Sequence, residues 1–237
     1  MKQVRAAKQG ASKSGTGRAA TRQARRRQLI DATIDSISKR GFSGTTLETV
    51  TKGAKLSHGV VHFYFDSKES LYVETLGFLA REHYELWHGA MLKAGDDPVR
   101  QLTAIVASDF AQSVCSPKKL AVWYAFWGQA KYRPNYLKIH SGYDEQRFVE
   151  IARLCREIAA DGGYEGLDSD RVARGLEALI DGLWLNLLLY PKTSGRTKSL
   201  DDALCFLACA FPRHFAQPGE AVDLADCCAT PSKAKAT

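Results

Sequence analysis

The chain has 237 residues, of which 45% are hydrophobic and 25% charged, and its formal net charge is +7. This length is enough for one large or two modest domains, and the composition is that of a globular protein rather than a collagenous or disordered one. No apolar run is long enough to cross a bilayer, and the basic N-terminus is not followed by the apolar segment of a secretory signal. These features argue against a membrane or secreted protein and predict a soluble, cytoplasmic one.

The excess positive charge lies at the N-terminus. Residues 1–27 contain nine lysines and arginines and no acidic residue, so the rest of the chain carries a net charge of −2. Residues 1–21 are rich in small and polar residues and cannot bury enough apolar surface to fold alone, which predicts a disordered basic arm. Such an arm would bind an acidic polymer by neutralising its phosphates, although a solubilising tail would have the same composition.

Six cysteines raise the question of a disulfide framework or a metal site. They are Cys115, Cys155, Cys205, Cys209, Cys227 and Cys228. None forms a CxxC pair, and a tetrahedral metal site needs four convergent ligands. We therefore expect reduced thiols, which pack as small hydrophobic residues where the chain is apolar and are stray thiols at Cys227 and Cys228 in the polar tail, and neither a metal nor another cofactor.

Ordered structure is expected from about residue 22, where RRRQLIDATIDSISKRG has helical periodicity. The apolar face of this first helix consists of Ile30, Thr33, Ile34 and Ile37. Gly41 follows two basic residues and is expected to end the helix. In SGTTLETVTKGA, we expect Thr45 to cap a short second helix and Glu48 to complete a capping box.

A third short helix is expected from Ser57 to about Phe63, in SHGVVHFYFDSKESL. Two short helices joined by a short turn form a helix-turn-helix, whose second helix lies in the DNA major groove. Gly59 allows the backbone to approach DNA closely, while Val60 and Val61 divide between groove and core. The rings that end the helix are expected to anchor it while their polar tips reach phosphates; they belong to His62, Phe63 and Tyr64. The alternative is an aromatic cluster in an all-helical core.

Residues 28–71 resemble the DNA-binding segment of the TetR family of bacterial transcriptional regulators. The positions that match the family pattern are Thr46, Val50, Ala54, Ser57, Gly59, Phe65, Lys68 and Leu71. The resemblance implies that Thr46 and Lys68 contact phosphates. It implies that the groove or its walls are contacted by the third helix and its cap, at Ser57, His58, Gly59, Val60, His62, Phe63 and Tyr64. Lys55 departs from the family's usual glycine and would cost roughly 1 kcal/mol in a left-handed conformation.

The remainder predicts a helical body. A long linking helix starts after Ser67, and breaks rich in glycine, proline and charge separate the apolar segments that follow. These segments are residues 99–114, 118–131, 141–161, 169–190 and 199–213. None shows the alternation of a strand, so we predict an all-α fold. The family resemblance implies that it comprises a DNA-binding domain at 22–66 and a ligand-binding and dimerisation domain at 67–215, and the residues at 216–237 are expected to form a flexible tail.

An aromatic cluster in this body suggests a binding site for a cation. A quaternary ammonium ion cannot donate a hydrogen bond and is best held by aromatic faces near a carboxylate. The candidate residues are Asp109, Trp123, Tyr124, Trp127, Asp181 and Trp184. Large rings four residues apart are also ordinary core residues, and Asp181 could serve helix packing.

Three body segments, LTAIVASDF, AVWYAFWGQAKYRPNYLKIH and LEALIDGLWLNLLL, resemble those of the choline-responsive repressors of glycine betaine synthesis within this family. The resemblance implies a double-stranded DNA operator, choline or a related cation as effector, and a homodimer formed by residues 168–190 and 199–213. The alternatives are a regulator of a different apolar ligand and a ligand-independent DNA-binding adaptor. Because the chain has no GxSxG, HExxH or GxxxxGK[ST] motif, we do not expect an enzyme.

Overall fold

The computed structural model describes the backbone of residues 13–215 and the side chains of residues 19–215. This part of the chain contains nine α-helices and no strand, which confirms the all-α prediction. It divides into two compact units, Met1–Tyr72 and Val73–Thr237. Residues 1–12 of the expected arm and the expected tail at 216–237, with Cys227 and Cys228, lie outside the described residues.

The first unit contains three helices and the start of a fourth. Helix α1 spans Lys13–Gly44, α2 Leu47–Gly53, α3 His58–Tyr64, and α4 Lys68–Lys93. Residues 13–21 are therefore helical, contrary to the disordered arm expected there. This stretch contains no proline, and a helix that is already formed extends more easily than a new one starts, so α1 continues N-terminally from its buried part despite two glycines.

The core of this unit forms on the predicted face of α1. Four side chains of that face are buried: Ile30, Thr33, Ile34 and Ile37. Val50 of α2 and Val61 of α3 are buried as well. At the start of α4, the Tyr72 hydroxyl donates a hydrogen bond to the Thr45 carbonyl at 3.1 Å. The face predicted from the periodicity of α1 thus holds the helix-turn-helix together.

The break in α1 determines how α2 is capped. Gly41 adopts φ 69° and ψ −179°, which confirms the predicted stop. The buried Thr45 hydroxyl donates to the Gly41 carbonyl at 2.8 Å and is not available to α2. Thr46 caps α2 instead, since its hydroxyl accepts from the Thr49 N–H while the Thr49 hydroxyl accepts from the Thr46 N–H. The expected capping box of Thr45 and Glu48 is therefore wrong by one residue.

The turn between α2 and α3 contains a strained residue. Lys55 has φ 53°, a left-handed backbone conformation that is strained for a residue with a Cβ atom. Its side chain is exposed, so no buried contact offsets this strain. We expect Lys55→Gly to raise the free energy of unfolding by roughly 1 kcal/mol, because glycine adopts this conformation without strain. Urea unfolding of both proteins measures the difference.

A matched control lies three positions earlier in α2. Lys52 is also exposed but belongs to the helix, where glycine is disfavoured. Lys52→Gly should therefore lower the free energy of unfolding by about 0.5–1 kcal/mol. Loss of stability in both variants would contradict strain at Lys55.

The second unit is a bundle around α7. Its remaining helices are α5 (Pro98–Asp109), α6 (Pro117–Ala130), α7 (Pro134–Gly162), α8 (Ser169–Leu189) and α9 (Arg196–Ala210). Helix α7 packs against α5, α6 and α8, and α9 packs against α8 and α5. In the described residues no helix is both long and apolar enough to span a membrane.

The two largest differences between the observed helix bounds and the predicted segments of this unit concern α7 and α5, while both ends of α9 lie three residues earlier than predicted. Helix α7 begins at Pro134 rather than at residue 141, because a proline in the first turn needs no N–H partner and starts a helix. Helix α5 ends at Asp109 rather than at 114, since Phe110 leaves the helical conformation and the following residues form turns. Both differences matter for the site, which Asp109 and the first half of α7 help to form.

Candidate functional site

The first candidate site is the exposed surface of α3 in the first unit. His58, Gly59, His62 and Phe63 are exposed, and the rings of His58 and His62 lie 5.8 Å apart. Nothing within 4 Å would meet a side chain at Gly59. Val60 is half-buried and Val61 is buried. This surface therefore presents hydrogen-bonding rings and one apolar ring to solvent.

The ring that anchors α3 is not the expected one. Phe65 is only 3% exposed, and the Arg26 guanidinium carbon lies 4.8 Å from its ring centroid. Arg26 also donates to the Tyr64 carbonyl at 3.0 Å. Phe63, expected among the anchoring rings, is 72% exposed. Val61 and Phe65 occupy the inward face of the chain, which leaves Phe63 facing outward.

The residues expected to contact phosphates lie at helix starts. Thr46 is the exposed cap of α2, and Lys68 is the first residue of α4, with its Nζ 5.2 Å from the Tyr72 ring centroid. Ser57 precedes α3 in an extended conformation, and within the described residues its hydroxyl makes no capping bond to α3. The side chains of Thr46 and Ser57 thus stand at positive helix ends, where anions bind favourably.

The second candidate site is a pocket inside the second unit. It encloses about 460 Å³ between its atoms, including the opening to solvent. Five of the six ligand-binding residues predicted from sequence line it: Asp109, Trp123, Trp127, Asp181 and Trp184. The ring centroids of Trp123 and Trp127 are 6.1 Å apart, and Trp127 stacks on His140 at 5.2 Å. One side of the pocket is therefore aromatic.

Tyr124, the sixth predicted residue, supports the pocket without lining it. Its hydroxyl donates to the Asp181 carbonyl at 2.7 Å, and its ring meets the Trp127 ring edge-on at 4.8 Å. Burial, and to a lesser degree the Asp181 carboxylate, raises the pKa of Tyr124 above its ordinary value, so the hydroxyl remains a donor. Tyr124 thus joins α6 to α8 beside the pocket.

Several lining residues were not predicted from the sequence. They are His83, His140, Asp144, Arg147, Glu177 and Ile180. On α7, the residues at 140, 144 and 147 follow the spacing of one helical face, and those at 177, 181 and 184 do so on α8. These two rows of residues could have been recognised in the sequence. Charged residues at helical spacing within helices that are otherwise packed indicate a shared polar site.

A buried cluster of charged side chains belongs to the lining of the pocket. Asp109 is fully buried, and its carboxylate binds the Arg147 guanidinium through one oxygen and lies 2.7 Å from His83 Nε2 through the other. Arg147 also binds Glu177, and Trp184 Nε1 donates to the Asp109 carbonyl at 3.0 Å. Burial lowers the pKa of Arg147, but the carboxylates of Asp109 and Glu177 outweigh burial and raise it.

The carboxylate of Asp181 is differently placed. Within the described residues it makes no ion pair, and Asp144, its acidic neighbour, is 2.9 Å from His140 Nδ1. Asp181 is exposed and lines the pocket, yet loss of hydration to the surrounding protein raises its pKa to about 6. Arg147 opposes this rise, and Asp144 adds to it. Asp181 is therefore the lining carboxylate available to a ligand.

The pocket carries a negative charge. Four carboxylates and one guanidinium line it, which gives a net charge of −3 when its two histidines are neutral. Aromatic faces and an unpaired carboxylate hold a cation without requiring it to donate a hydrogen bond.

Among the described residues, no group of three or more histidine, cysteine or acidic side chains is arranged to hold a metal ion. Burial raises the pKa of Cys115 and of Cys155 to about 12, so both are thiols at neutral pH.

Two family models match the chain, and solved structures share its fold. Residues 29–75 match the model described as bacterial regulatory proteins of the tetR family. Residues 98–211 match that of the C-terminal domain of BetI-type transcriptional repressors. A transcriptional regulator from Pseudomonas aeruginosa PAO1 is 25% identical with a TM-score of 0.71, covering 81% of this chain and 92% of its own. A regulator from Saccharomonospora viridis, solved in complex with choline, is 20% identical with a TM-score of 0.64, covering 78% and 96%.

Curated relatives point to the same family. The HTH-type transcriptional regulator BetI of Burkholderia thailandensis is 35% identical over 164 residues, which are 69% of this chain and 82% of the relative. The BetI regulator of Burkholderia lata is 37% identical over the same shares of the two chains. Together with the helix-turn-helix and the helical body, these matches establish that the chain belongs to the TetR family and is a transcriptional repressor of the BetI type, not an enzyme.

Proposed function

We propose that the protein is a homodimeric repressor that releases its DNA operator when choline or a related quaternary ammonium ion binds the pocket, and so controls genes of glycine betaine synthesis. The observation that carries the proposal is the combination of aromatic walls and a net negative charge in one pocket. A neutral apolar ligand would remove the remaining hydration of the Asp181 carboxylate, which has no ion-pair partner among the described residues, without supplying a balancing charge.

The rings and carboxylates divide the work of binding. The faces of Trp123, Trp127 and Trp184 attract the methylated ammonium group, each contributing about 0.5–2 kcal/mol. Asp181 supplies the balancing charge, because both oxygens of Asp109 are already bound to Arg147 and His83. The choline-bound regulator from Saccharomonospora viridis, whose fold this chain shares, supports a ligand of this class.

The α3 surface reads the operator. Phosphates are contacted by Thr46 and Lys68 at the starts of α2 and α4. The groove and its walls are contacted by Ser57, His58, Gly59, Val60, His62, Phe63 and Tyr64. The exposed imidazoles of His58 and His62 hydrogen-bond to base edges, and the exposed Phe63 ring contacts an apolar group such as a thymine methyl. The basic residues at the N-terminus add affinity that does not depend on sequence.

Dimerisation uses α8 and α9. Helix α8 exposes Leu185 and Leu189 in the single chain, and Tyr190, which follows the helix, is exposed as well. Exposed Gly182 lies on the same stripe and has nothing within 4 Å of the position of a side chain, so another helix can approach closely there. Contiguous apolar residues of this kind favour a twofold interface, which would also supply two α3 helices for two half-sites.

The pH dependence of choline binding tests the pocket. Asp181 is ionised above about pH 6 and neutral below it, so its attraction for a cation is present at high pH and lost as pH falls through that value. We expect calorimetry to show roughly tenfold weaker choline binding at about pH 5 than at about pH 7.5, matching the fall in the ionised fraction. Asp181→Asn should bind choline weakly at both pH values, with a much flatter profile.

The other charged groups that face the pocket also require a control. They are His83 on α4, Asp109 on α5, His140, Asp144 and Arg147 on α7, and Glu177 on α8. These groups are unchanged in Asp181→Asn, so the difference between its profile and the parent's isolates Asp181. Asp96→Asn, in an exposed loop, should retain the parent's profile.

Two outcomes would replace the proposal. If the neutral carbon isostere of choline binds as tightly as choline, the effector is a different apolar ligand and the charge of the pocket is not used. If neither compound binds nor releases the protein from its operator, a ligand-independent adaptor is the better description.

A further inference from the structure

Helix α4 has one direct connection to the pocket. It runs without interruption from Lys68, in the first unit, to Lys93, in the second. Of the described residues that line the pocket, His83 alone belongs to this helix. The other lining residues belong to α5, α6, α7 and α8. Any direct effect of a ligand on α4 must therefore involve His83 or the groups bound to it.

The His83 side chain is held by the buried ion cluster. Its Nε2 lies 2.7 Å from one oxygen of Asp109, and its ring centroid is 5.6 Å from that of Trp184. The other Asp109 oxygen binds Arg147, which in turn binds Glu177. Asp109 is thus shared between α4 and α7, and a change on the Arg147 side alters its interaction with His83.

The neighbours of His83 attach α4 to the bundle at points outside the pocket. Glu82 forms an ion pair with Lys119 of α6, and the Tyr84 ring lies 5.9 Å from that of Tyr143 on α7. Neither Glu82 nor Tyr84 lines the pocket. These contacts are made by groups outside the pocket, whereas His83 contacts a carboxylate that lines it.

We propose that His83 is the positioning residue through which a cation in the pocket acts on α4. The inference rests on the proposed function and concerns its regulation. A cation bound against the tryptophan rings adds positive charge beside Arg147. The cation, Arg147 and His83 then all interact with the same Asp109 carboxylate. The bond between His83 and Asp109 therefore has a different strength in the liganded and unliganded protein, and that difference shifts the equilibrium of α4.

The quantity that tests the proposal is a ratio of two affinities. Choline dissociation constants are measured on free protein and on protein saturated with an operator duplex, and their ratio is the coupling factor. The ratio is used because replacing a lining residue also changes the affinity itself. For the parent we expect a ratio in the usual allosteric range of about 5–150-fold.

Four variants separate a specific role of His83 from a structural one. His83→Ala and His83→Asn both lose the group at the Nε2 position, and both should reduce the ratio to within about twofold of unity. Asparagine preserves polarity and so provides a second test if the alanine variant does not fold. His83→Gln places an amide N–H where Nε2 lies and should restore most of the coupling. His88→Ala is the matched control, since His88 lies on the same helix and stacks on Tyr84 without lining the pocket.

Each outcome has a distinct meaning. The inference is overturned if the alanine or asparagine variant keeps the parent's ratio while the parent responds to choline, and the proposed function then stands. It is also overturned if His88→Ala loses coupling equally, or if the folded glutamine variant is as uncoupled as the asparagine variant. If the parent itself binds no choline, the proposed function and the inference fail together.

Discussion

Arg147→Met is expected to lower the free energy of unfolding by about 3–5 kcal/mol, which is the usual cost of removing one partner of a buried ion pair. Asp109 is fully buried, and in the described chain the Arg147 guanidinium is the only lysine or arginine group that binds its carboxylate. Without Arg147, the carboxylates of Asp109 and Glu177 would remain close together with too little positive charge. Urea unfolding followed by circular dichroism measures the loss.

Arg153 offers the matched control on the same helix. It pairs with Glu150 at 3.0 Å and Glu157 at 2.8 Å, but its side chain is 38% exposed. Solvent screens such pairs, so Arg153→Met should cost less than about 1 kcal/mol. Equal losses in the two variants would mean that the cluster around Arg147 behaves as surface charge.

A variant that lacks both Arg147 and Asp109 shows why the single variant is less stable. It distinguishes the loss of their attraction from the cost of leaving the Asp109 carboxylate buried without a partner. The double variant Arg147→Met, Asp109→Leu has no unpaired carboxylate at position 109, so it should be less destabilised than Arg147→Met alone. A double variant whose loss equals the sum of the two single losses would show that the pair is not coupled. In that case the penalty at Arg147 would come from packing of its long side chain rather than from charge.

The helical architecture could be predicted because its signals are local. The inward face of α1 follows from the helical period, and the stop at Gly41 from the positive φ that glycine adopts readily. The start of α7 was missed because Pro134 can either break a helix or begin one, and the local sequence does not distinguish the two. From the sequence, Thr45 and Thr46 are equally good caps for α2. The hydrogen bond from the Thr45 hydroxyl to the Gly41 carbonyl occupies Thr45, and this bond depends on the folded structure.

The pocket was predictable on one side only. Trp123 and Trp127 lie four residues apart, so their common face follows from helix geometry alone. The ion cluster joins side chains that are 26 and 38 residues apart in sequence, and that pairing depends on how three helices pack. For the same reason the sequence could not show that the Asp109 carboxylate is bound to Arg147 and His83 whereas the Asp181 carboxylate has no ion-pair partner in the described chain.

His62→Ala is expected to weaken binding to the operator far more than binding to unrelated DNA. One base-edge contact is worth about 1–3 kcal/mol of discrimination, and the proposed homodimer would carry the contact in both half-sites. Discrimination should therefore fall by roughly 2–6 kcal/mol, which is about thirty-fold or more. Titration of the parent and the variant on a duplex selected by the parent from random sequence, and on its scrambled counterpart, measures this difference.

Lys68→Ala should behave differently at the same interface. A phosphate contact carries no sequence information, so its loss should weaken binding to both duplexes by similar factors and reduce the salt dependence by about one counterion per subunit. Lys93→Ala, at the opposite end of α4, is the matched control and should leave the affinity and its salt dependence nearly unchanged. If His62→Ala and Lys68→Ala both weaken the two duplexes equally, His62 does not read bases, and the exposed rings of α3 contribute to binding without specificity.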